Sequence, residues 1–224
     1  MHFRNRRDAG RILADALAAY AERPDVIVLA LPRGGVPVAA EIASKLRLPL
    51  DVFLVRKLGV PRHPELAMGA IAADGIEVLS HDLIHELGIP ARVVEQVAVG
   101  ERLELDRRDR LFRGDRDPPI VRGRTVLLVD DGLATGSSME AAMLALRKAH
   151  PARIIVAVPV GAAETCDRLR RLADSIVCLS TPVPFNAVGQ WYDDFAQTTD
   201  EEVRALLASV QPSRGAEVNG TKMA

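Results

Sequence analysis

The chain has little aromatic character: one tryptophan, two tyrosines and five phenylalanines in 224 residues. It has only two cysteines, Cys166 and Cys178, and their spacing is not that of metal ligands. That excludes a disulfide framework and a thiolate metal site, and it fits reduced, buried thiols in a cytoplasmic protein. It has no excess of either charge, with 29 Lys and Arg against 30 Asp and Glu. A net charge of −1 gives no general reason to expect nucleic acid or an anionic membrane as partner. No apolar run reaches membrane-spanning length, and the basic start from Met1 to Arg7 lacks an apolar signal core. There is no Gly-Lys-Ser/Thr phosphate loop and no G-x-S-x-G nucleophile elbow.

What remains is a 48% hydrophobic chain of the size of one α/β domain with some elaboration. Helical spacing runs over 8–20, where Ile12, Leu13, Ala16, Leu17 and Tyr20 share a face. A buried strand over 26–31 is followed by a helix from 35 to 46 and a strand over 50–55. Segment 56–70 has no sustained period and carries Gly59, Pro61, Pro64 and Gly69, so it reads as a long loop, a length that is usually functional or disordered. A short hairpin is expected over 71–79 around Asp74-Gly75, then a short helix over 82–87 and a long charged helix over 90–112 that Gly100 interrupts or weakens. Strands over 125–130, 153–158 and 176–179 alternate with helices over 137–149, 162–172 and 201–210. The polar tail 212–224 reads as disordered, leaving one domain over 1–211. Alternating strands and helices predict a parallel sheet flanked by helices. Ligands of such sheets sit at the carboxyl ends of strands, where segments 32–35, 56–69, 130–138 and 181–195 all begin.

The most informative stretch is Val126-Leu127-Leu128-Val129-Asp130-Asp131-Gly132-Leu133-Ala134-Thr135-Gly136-Ser137-Ser138. A buried strand ends in two carboxylates, a small-residue loop follows, and a helix opens. Free amides at a helix start attract anions, phosphate above all. Carboxylates suit hydroxyls or a metal. A sugar phosphate with vicinal hydroxyls satisfies both halves.

This stretch resembles the phosphoribosyl pyrophosphate (PRPP) signature of type I phosphoribosyltransferases. The resemblance covers about residues 25 to 195 and implies the fold of that family with a small hood over 181–195. It implies that Asp130 and Asp131 hold the ribose hydroxyls and approach Mg²⁺ only indirectly, through ribose or water. Ala134, Thr135, Gly136, Ser137 and Ser138 would hold the 5-phosphate. Hypoxanthine-guanine transferases carry an Asp general base where this chain has Ala134; adenine transferases carry the Ala-Thr-Gly found here, but their hood differs.

Leu31-Pro32-Arg33-Gly34-Gly35 resembles the family's pyrophosphate loop, which often contains a cis peptide; Arg33, Gly34 and Gly35 would hold the diphosphate. Arg56 and Lys57, with Arg62 and His63 beyond, resemble the start of the family's flexible catalytic loop, a basic flap over the leaving group. Glu65 either assists base protonation or caps a local segment. Phe185, Trp191, Tyr192 and Phe195 are half of the chain's aromatic residues. With Val188 they resemble the hood of purine salvage members, with Phe185, Val188, Trp191 and Tyr192 sheltering the acceptor. Segment 80–124 fits no well-known member and reads as a solvated helix. The implied activity is Mg²⁺-dependent transfer of phosphoribose from PRPP to a small-molecule nitrogen acceptor, a purine base being one. The rival is a non-catalytic PRPP- or nucleotide-binding regulator of the same fold. The resemblance leaves a homodimer open.

Overall fold

The computed structural model describes residues 1–73 and 75–210; the Asp74 turn position and the 212–224 tail lie outside the described residues. The chain runs α1 (Arg6–Ala16), β1 (Val26–Ala30), α2 (Gly35–Leu46), β2 (Leu50–Val52), β3 (Val55–Val60), β4 (His63–Ala72), β5 (Glu77–Leu79), α3 (His81–Glu86), α4 (Ala91–Phe112), β6 (Thr125–Val129), α5 (Ser137–Lys148), β7 (Arg153–Val160), α6 (Ala163–Leu169), β8 (Ser175–Ser180) and α7 (Asp200–Val210). Short 3₁₀ turns lie at Ala18–Tyr20 and Val188–Trp191.

Five parallel strands form the main sheet in the order β2-β1-β6-β7-β8. Every residue of β1 and β6 is buried, because helices cover both faces. On one face Val28, Leu127 and Ile155 pack with α1, α2 and α7; on the other Leu29, Leu128 and Val156 pack with α5 and α6. Each such fully buried aliphatic side chain contributes roughly 1.5–3 kcal/mol relative to exposure. From β1 the chain crosses to one edge, and from β6 to the other. The crevice between their carboxyl ends is the topological switch point where ligands of such sheets bind. No helix among the described residues is long and apolar enough to cross a membrane.

Segment 56–70 departs from the sequence reading. It is not a loop but an antiparallel hairpin of β3 and β4, extended by β5 into a second, three-stranded sheet. Leu58, Val60, Met68 and Ala70 are buried with strand alternation. The residues that look like breakers have sheet positions instead. Gly59 sits at a register shift, Pro61 and Arg62 form the turn, with Arg62 at φ 69°, and a Cβ at Gly69 would lie 2.4 Å from the Val78 carbonyl oxygen. The strand expected over 50–55 accordingly divides into β2 and β3. Helix α4 runs unbroken through Gly100 and buries Val94, Ala98, Leu105 and Phe112, so it is half a core helix rather than wholly solvated.

Candidate functional site

A backbone bond ties the two loops together at the switch point. The Leu31 amide donates to the Val129 carbonyl at 2.9 Å, beyond the paired strands. The Pro32–Arg33 peptide is cis, and α2 opens at Gly35 directly behind it. The two glycines let this turn lie flat on the acid pair. A Cβ at Gly34 would fall 2.1 Å from Asp131 Oδ2, and one at Gly35 2.7 Å from the Val129 oxygen.

Asp130 and Asp131 follow β6 and are only partly exposed. The Asp131 amide donates to Asp130 Oδ1 at 2.8 Å. Arg6 Nε donates to Asp131 Oδ2 at 2.8 Å. One oxygen of each acid, Oδ2 of Asp130 and Oδ1 of Asp131, has no protein donor among the described residues. Burial, then the neighbouring Asp131, pushes the Asp130 carboxyl well above the usual range. Burial raises Asp131 too, and Arg6 opposes that rise. Such pairs are costly unless a ligand or cation uses them.

The phosphate-loop candidates form the entry to α5. Gly136 takes the left-handed conformation, φ 71°, and as the N-cap residue offers no side chain to the helix; the Ser137 amide donates weakly to Thr135 Oγ1 at 3.5 Å. Thr135 Oγ1 and Ser137 Oγ lie 3.2 Å apart. First-turn amides left without a cap are available to an anion. Helix α6 holds the loop from beneath: Thr165 Oγ1 donates to the Ala134 carbonyl at 2.6 Å and Arg168 to the Thr135 carbonyl at 2.5 Å.

Of the expected cations, Arg56 and Lys57 share cavities with the start of α5, whereas Arg33 pairs with a residue of α7. Arg33 lies 3.6 Å from Asp200 at the start of α7. Arg56 Nε pairs with Glu101 of α4 at 2.5 Å, and Arg56, Arg108, Pro32 and Ser138 line one cavity of about 120 Å³. Lys57 lines grooves shared with Ser137 on one side and Ser138 on the other. The basic residues expected on a flap therefore reach the loops from a paired strand.

The hood is where side-chain placement departs most from the resemblance. Tyr192 is 5% exposed, packed between Phe3 at 5.5 Å and Phe195 at 5.1 Å, and has no face open to a ligand. Its hydroxyl donates to the Asp131 carbonyl at 2.6 Å, and burial raises its pKa. It therefore holds the acid loop rather than sheltering an acceptor. Phe185 and Trp191 stack at 6.4 Å, and both pack against the Phe3–Tyr192 cluster. Val188 lies over Gly132, where a Cβ would meet its Cγ1 at 2.5 Å.

The sequence reading passed over Arg6, Glu101, Phe195 as a partner of Arg6, Thr165 and Arg168. For Arg6 there was a signal. A cation in the first turn opposes the helix dipole, and Ala9 and Gly10 offer no carboxylate at helical spacing. Thr165 and Arg168 carry no signal of this kind.

A family model described as "Phosphoribosyl transferase domain" matches residues 4–193. A Mycobacterium tuberculosis protein named "Putative phosphoribosyl transferase Rv0571c" is 47% identical over 205 residues, 92% of this chain and 46% of that protein. The chain thus spans about half the length of this curated relative. A crystal structure of TT1426 from Thermus thermophilus superposes with a TM-score of 0.87 at 44% identity, covering 95% of this chain and 100% of that one. With the switch-point loops, the acid pair and the parallel sheet in place, these matches establish that the chain belongs to the phosphoribosyl transferase domain family.

Proposed function

We propose that this protein is a Mg²⁺-dependent phosphoribosyltransferase that moves 5-phosphoribose from PRPP to a nitrogen acceptor and releases pyrophosphate. The observation that carries the reading is the pair of carboxylate oxygens, one on Asp130 and one on Asp131, without donors among the described residues, beside a helix start whose N-cap residue is a glycine. Two acceptors suit the two hydroxyls of a ribose, and the first-turn amides suit its 5-phosphate.

In the reaction, the bond from ribose C1 to the diphosphate oxygen breaks, its electron pair leaving with pyrophosphate, and a C1–N bond to the acceptor forms through a sugar with oxocarbenium character as the acceptor nitrogen gives its proton to solvent. Asp130 and Asp131 orient the sugar; Thr135, Ser137, Ser138 and the amides from Ala134 and Gly136 anchor its phosphate, which supplies positioning. Arg33, Arg56 and Lys57 neutralise the departing diphosphate. Arg56 exchanges Glu101 for the ligand when it does so. No cluster of three metal-binding side chains exists among the described residues. The acid pair fits Mg²⁺ indirectly, through the ribose hydroxyls it holds or through waters, since that ion keeps several waters and binds substrate phosphates. Magnesium, when bound, neutralises diphosphate and ribose oxygens. The acceptor lies under the hood, where Phe185, Val188 and Trp191 remain its candidate neighbours.

The test is pyrophosphate release dependent on both Mg²⁺ and PRPP, screened against purines, pyrimidines and small amines. Release with one acceptor establishes the enzyme and names its substrate. PRPP binding without release from any acceptor favours the regulator.

A further inference from the structure

Arg6 reaches the acid pair from outside the loops after β1 and β6 and the hood. It begins α1, yet its side chain is only 11% exposed. Its Nε donates to Asp131 Oδ2 at 2.8 Å and its Nη1 to the Ala196 carbonyl at 2.7 Å. Its guanidinium lies 3.8 Å from the Phe195 ring centroid. Phe195 packs on Tyr192, whose hydroxyl donates to the Asp131 carbonyl at 2.6 Å. Asp131 is thus held twice, by its carboxylate from the amino-terminal helix and by its backbone from the hood.

A carboxylate on a free side chain rotates and offers either oxygen. Here the guanidinium claims Oδ2, and its planar fork has little freedom of its own once stacked and bonded at two points. Only Oδ1 of Asp131 is then presented, in a fixed direction, beside Oδ2 of Asp130. Fixed acceptors discriminate strongly against a ligand that lacks the matching hydroxyl, because the acceptor is then left unpaired.

We propose that Arg6 is a positioning residue that sets selectivity for a vicinal sugar diol by fixing which Asp131 oxygen faces the ligand. This rests on the PRPP-site reading above and adds the amino-terminal segment to that site.

The probes are ribose 5-phosphate, 2-deoxyribose 5-phosphate and inorganic phosphate, titrated calorimetrically into the full chain and into Arg6→Gln and Arg6→Lys, with Tm recorded for each. The wild-type chain is expected to favour ribose 5-phosphate over its 2-deoxy analogue by about tenfold or more. Arg6→Gln should compress that ratio to about twofold, with the affinities for the 2-deoxy sugar and for inorganic phosphate held. Arg6→Lys keeps the charge without the fork, so its ratio should fall between the two; it carries the test if the Gln variant does not fold. An unchanged ratio in both variants overturns the proposal. So does a loss of all three ligands in step with Tm, which is the signature of a merely structural contact. A wild-type chain that binds neither sugar phosphate overturns the PRPP-site reading itself. Wild-type diol selectivity that survives in the variants overturns only the assignment to Arg6.

Discussion

Gly34 has no side chain where Asp131 has its carboxylate: a Cβ on Gly34 would lie 2.1 Å from Asp131 Oδ2 and 2.7 Å from its Cγ. The pyrophosphate-loop candidate and the ribose-binding candidate are therefore one packed unit. The clashing atoms are the far end of a side chain, so the fold can yield by turning the carboxylate away. Gly34→Ala should keep its Tm within a few degrees and lose about tenfold or more in PRPP affinity, about 1.4 kcal/mol. Calorimetry with a parallel melt checks both halves.

Gly136 fails differently. The sequence suggests that a side chain here would crowd the phosphate, but a Cβ at Gly136 points to α6, 2.6 Å from Thr165 Cγ2 and 3.1 Å from Leu169 Cδ1. Its φ of 71° is also strained for a β-branched residue. Gly136→Val should therefore cost at least about 2 kcal/mol of stability and lose PRPP affinity with it. Urea denaturation and calorimetry on the same variant test the coupling; affinity lost at full stability would restore the crowding account.

Tyr192→Phe removes the hydroxyl bonded to the Asp131 carbonyl and nothing else. With the ring packing kept, the expected cost is about 1 kcal/mol of stability. A tyrosine that stacked on the acceptor would keep most of its effect in the Phe variant. One that holds the loop should lose PRPP affinity by a small factor while acceptor KM stays constant. Steady-state kinetics with both substrates varied separates the two.

Away from the site, Arg113 is the buried tie between α4 and β2. It donates to the Val52 carbonyl at 3.1 Å, approaches Asp51 at 3.5 Å and pairs with Asp109. Burial raises the Asp51 pKa even with Arg113 opposing it. Arg113→Met leaves Asp51 buried without that partner and should destabilise the fold by about 3–5 kcal/mol near neutral pH. A carboxyl whose folded pKa lies above its unfolded value costs stability once the pH exceeds the unfolded value, and acidification through the folded pKa relieves that cost. The deficit of the variant should therefore narrow as the pH falls from neutrality through the raised Asp51 pKa, as paired denaturation curves would show.

The parallel sheet was legible because fully buried strands such as 26–30 and 125–129 are continuous apolar runs bounded by glycines and acids. The 130–138 turn from strand to helix was legible for the same reason, since it is contiguous in sequence. The 56–70 hairpin was not. Its glycines and Pro61 break the local pattern, and the sheet is covered by α4 and α5, helices distant in sequence. Tyr192 was misread because its ring is placed by Phe3, at the other end of the chain. Arg6 was missed because its partner is 125 residues away. Side chains that act across such separations leave at most a local oddity, here a cation at the wrong end of a helix.

The most direct test of the account is titration of the full chain with PRPP in the presence of Mg²⁺, beside the Asp131→Asn variant at matched Tm. The account predicts saturable binding to the wild-type chain, weakened by about tenfold or more in the variant. No binding to the wild-type chain, or equal affinity in the two, would contradict it.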